Sequence, residues 1–364
     1  MFLLRDCGLM AKSLVTKGRV MLRFCVATSL PVFFLTLAGL QGGLWCVVAL
    51  LYLTVFTFVM DRLAYGAVAK RKSDGEFPVG EELAVFLGLA HLGLIVVAIY
   101  AIGGDSGLSF WERLVCFAAY GLFFGQVSNA NAHELIHKQA RWPRRLGKAV
   151  YISLLFGHHA SAHPKVHHLW AASAMDPNSP APRQSFYQFW PRAWIGSFRK
   201  GLQAESELRA RSSRNFSPWS HPYVAYILGG ALVVTMAAIW FGFSGVLALI
   251  FLTGYAQMQL LVSDYVQHYG LRRTRGADGK LEPVGPGHSW NAPQFYTSAL
   301  MLNAPRHSDH HMHPLRTYPA LELDPSQMPY LPRSLPVMGA LALWPRMWRR
   351  VMDPKVAALR TSTN

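Results

Sequence analysis

Apolar runs alternate along this chain with long polar stretches. The runs lie near 20–40, 44–60, 83–103, 112–130, 222–241 and 244–266. Each is of a length that crosses a hydrocarbon layer of about 30 Å at about 1.5 Å per helical residue. A backbone inside lipid finds no water to bond, so every run is predicted to be an α-helix. Gln41-Gly42-Gly43 and Phe241-Gly242-Phe243 leave room only for tight hairpins. The fold class predicted is therefore an all-α polytopic membrane protein with six transmembrane helices. No linker divides two apolar cores, so 1–364 is read as a single domain. Met1 to Leu40 combines basic residues with an apolar run, as a signal peptide does. No small-residue cleavage site follows it, and the stretch is read as a retained first helix. The polar segments 131–221 and 267–364 are rich in proline and are predicted to be short helices and loops rather than sheet. Within them, 146–157 and 335–348 are apolar but short, and are predicted to lie along the membrane face.

Composition agrees with a lipid-facing surface. Hydrophobic residues make up 52% and charged residues 15% of the 364, against about a quarter charged in soluble domains. The formal charge of +16 suggests nucleic acid until its distribution is mapped. All Lys and Arg except Arg23 and Arg113 fall in 1–19, 61–82, 131–221 and 267–364. With six spans those segments share one face. This is the positive-inside pattern and places both termini and the large loops in the cytoplasm, as for a multi-pass protein of a bacterial inner membrane. The bilayer accounts for the basic charge without nucleic acid, and the same charge suits an acidic electron-transfer partner. The four cysteines, Cys7, Cys25, Cys46 and Cys116, form no CxxC pair. A thiolate metal site is excluded on that ground, and any electron donor is expected to be a separate protein.

Of the 15 histidines only His91 sits in the middle of a span. The other fourteen gather on the predicted cytoplasmic side, and nine of them form the key groups His133/His137, His163/His167/His168, His268 and His307/His310/His311. His133 and His137 are four apart where the fourth span leaves the bilayer, so their rings share a helix face. His268 follows the sixth span, with Asp264 one turn before it. The spacings of the two triplets can send two rings to one metal and a third to its neighbour. Nine imidazoles fit two iron ions with four or five nitrogens each. Imidazole suits divalent iron, and residue types alone leave copper open. A structural zinc site needs only four ligands, and a zinc transporter would carry its ligands inside the spans. His133-Glu134-Leu135-Ile136-His137 matches the HExxH peptidase pattern, but that chemistry would leave six histidines idle. Glu134 is instead expected to accept a hydrogen bond behind the ligands or to form a local salt bridge.

His133-Glu134-Leu135-Ile136-His137-Lys138 resembles the first histidine box of membrane alkane hydroxylases, and Arg306-His307-Ser308-Asp309-His310-His311 resembles their last. Gln267-His268-Tyr269-Gly270-Leu271, His288-Ser289-Trp290-Asn291 and Trp348-Arg349-Arg350-Val351-Met352-Asp353-Pro354 extend the resemblance over roughly 120–356. It implies a six-span di-iron monooxygenase that hydroxylates a terminal methyl group with dioxygen. It also implies His133, His137, His163, His167, His168, His268, His307, His310 and His311 as catalytic iron ligands. Electrons would come from a separate rubredoxin or ferredoxin and an NAD(P)H-dependent reductase. Ala162 and Gln267 depart from the alkane pattern and are similar to the xylene-methyl hydroxylases, while Asp264 stands where the alkane enzymes commonly have Asn.

Neutral ligands leave the metals' charge uncompensated, so Glu134, Asp264 and Asp309 are expected to supply negative charge nearby. His288 is expected to be a hydrogen-bonding neighbour, and His158, His159 and His221 stand outside the ligand set. Gly121, Gly125 and Asn129 recur at four-residue steps towards His133. With His91 they are candidates for a substrate tunnel, the glycines serving equally well for close helix packing. The rival functions are methyl hydroxylation of alkyl-aromatics, a membrane desaturase, and a non-enzymatic metal transporter or sensor.

Overall fold

The structure is a computed structural model. It describes the backbone of residues 2–64 and 78–362 and the side chains of residues 18, 20–64 and 80–359. The basic positions Lys70, Arg71 and Lys72, and the basic side chains at 5, 12, 17, 19 and 360, lie outside the described residues.

The described residues are helical, with only isolated bridges at Arg275–Leu281 and Asn291–Tyr330 and no strand. Among the described residues, four helical stretches are long and apolar enough to cross a bilayer: Val20–Gln41, Leu44–Leu63, Gly80–Gly103 and Pro222–His268. Helix Phe110–Phe123 continues through a π turn at Phe124–Ser128 into Asn129–Ile136. Ser109 and Glu112 close its start in a reciprocal capping box.

The last apolar stretch is not one straight rod. Gly242 takes φ 63 and ψ −160, a backbone open to glycine and costly for other residues. Beyond it the chain turns back: Gly229 lies against Ile152, while Gln257 Nε2 donates to the Leu154 carbonyl at 2.8 Å. The helices before and after Gly242 thus stand side by side. Gly42 and Gly43, at φ 68 and φ 58, make the equivalent reversal after the first helix.

These reversals collect at one end of the bundle. Gly43 N donates to Glu112 Oε1 at 2.7 Å. Arg113 donates to the carbonyls of Ile102 and Gly104 at 2.7 and 3.0 Å, and Ser244 Oγ donates to that of Gly103 at 2.5 Å. The histidine-bearing segments therefore start from the opposite end. There Arg141–Ser153, the 25-residue helix Phe186–Ala210 and Leu335–Ala342 pack over the bundle. The buried Asp61 carboxylate ties the second apolar helix to Phe295–Leu300, accepting from Tyr296 N and Thr297 N at 2.8 and 2.9 Å. It binds the positive N-terminal end of that helix.

Candidate metal centre

The nine histidine rings converge from four helical pieces into two adjoining groups. His133, His137, His163, His168 and His310 form one, and His167, His268, His307 and His311 the other. Within each group one nitrogen per ring lies within 4.8 Å of all the rest. His133 and His137 come from the helix end at Ile136, as their i, i+4 spacing requires.

The middle triplet depends on an irregularity. Residues 163 and 168 are five apart, which an α-helix would set about 140° from each other. His163–His167 is instead a π turn, whose i→i+5 bonding brings them towards one face. His163 and His168 so reach the first group while His167 reaches the second. In the last histidine-bearing helix of the centre, His307–Met312, His307 and His311 serve the second group and His310 the first.

The imidazole nitrogens are packed as a cation would require. Nε2 of His163 is 2.7 Å from that of His133 and 2.9 Å from that of His168, which is 3.1 Å from that of His310. In the second group His307 Nε2 is 3.1 Å from His268 Nε2 and 3.0 Å from His311 Nε2. Two nitrogens that share one ion at about 2.1 Å stand about 3 Å apart. His137 Nε2 and His167 Nε2 are buried with no hydrogen-bond partner, a cost that a metal ion removes. The donor set fits two metal ions.

Protonation points the same way. Burial, reinforced by the neighbouring imidazoles, holds His163, His168, His307, His310 and His311 well below the ordinary histidine range. Their lone pairs are therefore free near neutrality. His167 differs. Burial opposes its charge, yet the Asp176 carboxylate beside it brings the net shift upward. Burial also opposes charge on Asp176, and His167 and Ser179 overcome this to hold it below the usual carboxylate range.

The groups behind the ligands fix the tautomers. His167 Nδ1 donates to Asp176 Oδ2 at 2.9 Å, and His268 Nδ1 donates to the His288 carbonyl at 3.2 Å. Each leaves Nε2 as the metal-facing nitrogen. Asp176 was not singled out from the sequence. The available signal was the Asp-Pro-Asn-Ser run, an Asx turn in which Asn178 N donates to Asp176 Oδ1 at 3.0 Å. Asn291 accepts from Ser308 N at 3.0 Å and donates to Ser308 Oγ at 2.8 Å, clamping the last histidine helix.

The other residues named from the sequence are placed as follows. Glu134 pairs with Lys138 at 2.8 Å. Asp309 accepts from Arg316, His313 and Glu322 N, bracing the following loop rather than a ligand ring. The His288 ring receives Gly285 N and faces Glu282, so it is the backbone of His288 that reaches His268. Asp264 Oδ2 accepts from Asn178 at 2.6 Å. His158 meets Ser197, and His221 caps Tyr223 N.

A cavity of about 220 Å³ opens on both histidine groups, with His133, His163 and His307 in its wall. A single water needs only about 10–15 Å³ on the same measure, so an organic molecule fits. Asn129 and Gly125 line it, as do His159 and Asp264. Gly121 and His91 are not in the lining. A Cβ at Gly121 would meet the Tyr255 ring at 2.3 Å, which makes it a packing glycine. His91 is buried between Ser128 and Ser153, at 2.9 Å from each hydroxyl.

Comparison with known proteins gives consistent matches. Residues 108–338 match the sequence model of the fatty acid desaturase family. The chain is 30% identical to an alkane 1-monooxygenase of Pseudomonas putida over 266 residues, 73% of this chain and 65% of that protein. It is 32% identical to alkane 1-monooxygenase 1 of Pseudomonas aeruginosa over 290 residues, 77% of this chain and 74% of that one. A Pseudomonas putida xylene/toluene monooxygenase hydroxylase component is 28% identical over 242 residues, 64% and 61% of the two chains.

Proposed function

The chain belongs to the alkane 1-monooxygenase family, and we propose that it hydroxylates the terminal methyl group of an apolar chain to a primary alcohol at a two-iron centre. His133, His137, His163, His168 and His310 would hold one iron, and His167, His268, His307 and His311 the other. Bound there, the irons supply the oxidising chemistry: one atom of dioxygen enters the C–H bond, and the other leaves as water with two electrons and two protons. The protein's part is to bind, orient and exclude water. Leu335, Gly339 and Leu343 close one side of the cavity with apolar surface. Asp264, fixed by Asn178, is the carboxylate on its wall. The observation that carries the proposal is the cavity meeting both histidine groups at once, so a substrate can reach the metals without crossing bulk water.

We read the chain as six membrane crossings with the metal centre cytoplasmic, in a bacterial inner membrane. The hairpin at Gly242 and the basic residues at the histidine end support this reading. A separate rubredoxin or ferredoxin with its reductase would deliver electrons to that face. The test is iron-loaded protein with donor, reductase and NADH, offered alkanes and toluene derivatives under ¹⁸O₂, with products identified by mass spectrometry. An ¹⁸O-labelled primary alcohol is expected. Unlabelled product, or equal turnover by zinc-loaded protein, would overturn the proposal. The similarity to the xylene/toluene enzyme supports a second reading, methyl hydroxylation of alkyl-aromatics, and the same assay separates the two. Alkene products would instead indicate a desaturase.

A further inference from the structure

Gln126 is an amide set within an apolar helix. It is 9% exposed, it lines the cavity, and its Oε1 is buried with no hydrogen-bond partner. Burying such an oxygen unpaired costs about 1–3 kcal/mol, and in lipid surroundings water does not come cheaply to relieve it. The chain around it is built to hold it there. Gln126 sits at the centre of the π turn Phe124–Ser128, a feature found often at functional sites. His91 secures that turn. Ser153 Oγ already donates to the Val150 carbonyl, so His91 Nε2 donates to Ser153 and its Nδ1 accepts from Ser128 Oγ.

The wall facing the metals continues the polar track. Gln259, Ser263 and Gln267 follow one another at four-residue steps on the last apolar helix, and all line the cavity. Ser263 Oγ donates to Gln267 Oε1 at 2.9 Å, and Gln259 Nε2 donates to the Gly121 carbonyl at 2.8 Å. Gln259 is thus engaged through its Nε2 and Ser263 and Gln267 with each other, while the amide oxygen of Gln126 is the one in the described lining that is buried with no partner. No Lys or Arg is among the described lining residues, and the carboxylate of Asp264 is. An anionic head group therefore has nothing to pair with.

We propose that the cavity binds a chain bearing a neutral hydrogen-donating group, a hydroxyl, that Gln126 recognises while the methyl end lies at the metals. The proposal rests on the hydroxylase reading above and narrows its substrate class from plain hydrocarbon to medium-chain alcohol. Gln126 and His133 are seven residues apart on one helix face, about 10 Å along the axis, which sets where the hydroxyl must lie. Hydroxylation of such a chain consumes dioxygen, two electrons and two protons as for an alkane, and yields a diol.

Two measurements on the full-length protein test this. In the first, n-alkanes and alkanols of matched length, with the hydroxyl placed at successive positions, are compared as substrates and as ligands that raise the melting temperature. The wild type should prefer one hydroxyl position over the alkane by about five- to tenfold in kcat/KM. In the second, Gln126→Met, which keeps the length and removes the acceptor, should abolish that preference, bringing kcat/KM for the favoured alkanol down about five- to tenfold to the level of the matched alkane in the same variant. A wild type that favours the alkane at every position would overturn the proposal, as would an unchanged preference in Gln126→Met. The latter result would mean that Gln126 holds only a water. Position-dependent binding without any oxidation would instead overturn the hydroxylase reading and leave this site standing.

Discussion

Replacing Asp176 with Asn changes one charge in the whole metal centre and almost no volume. The carboxylate is 1% exposed. Its Oδ2 accepts from His167 Nδ1 at 2.9 Å and Ser179 Oγ at 2.7 Å, and its Oδ1 accepts from Asn178 N at 3.0 Å. An Asn can keep one oxygen for His167 and Ser179, but its NH₂ must then face Asn178 N, and two donors cannot pair. The bond to His167 falls from charge-assisted, about 1.5–3 kcal/mol, to neutral, about 0.5–1.5 kcal/mol. The anion that makes His167 a stronger ligand is also lost. Removal of such a carboxylate partner typically lowers metal affinity by about 10–100-fold. The effect should be confined to the group of His167, His268, His307 and His311. Metal content per chain, measured against a graded chelator series, should show one ion released early and the other at the wild-type concentration. Circular dichroism and melting temperature of the metal-free protein would show whether the fold is kept. If Asp176→Asn holds both ions as tightly as wild type and turns over normally, the argument that this carboxylate tunes His167 is refuted.

Removing a ligand from each group should separate them: His133→Ala and His311→Ala should each lower turnover by about 100-fold or more, with opposite single ions lost by elemental analysis. Gly121→Ala places its methyl 2.3 Å from the Tyr255 ring, whereas at Gly125 the obstacle is the movable end of Gln259. Gly121→Ala should therefore cost about 1–3 kcal/mol in unfolding assays in detergent and Gly125→Ala less. The buried imidazoles predict an acid-labile metal-free fold. His163, His168, His307, His310 and His311 have folded pKa values well below 6.5, and His137 is lowered to about 4, through burial and then neighbouring imidazoles. Below pH 6.5 the unfolded chain binds protons that the folded chain refuses. Stability is thus full above pH 6.5 and falls as pH drops, by up to about 1.4 kcal/mol per pH unit for each such histidine. A melting temperature of the metal-free protein that stays flat from pH 7 to pH 5 would contradict this.

The sequence by itself determined that the chain is helical and membrane-bound, because hydropathy, helix period and charge sidedness are local properties. Gly42, Gly43 and Gly242 could be read as reversals for the same reason, each needing a backbone that only glycine takes freely. The clustering of histidines along the chain pointed to metal, since the i, i+4 pair His133/His137 must share a face wherever the helix goes. Tertiary structure alone decided the rest. The ring of His167 leaves its neighbours because a π turn interrupts the helix, which no spacing rule announces. Asn178 meets Asp264 across 86 residues, and Asp309 turns to Arg316 rather than to a ligand. Gln126 reads as one polar residue in an apolar run until the facing helices enclose a cavity around it. Whether a polar atom is paired depends on what the fold brings opposite it, and that partner comes from elsewhere in the chain.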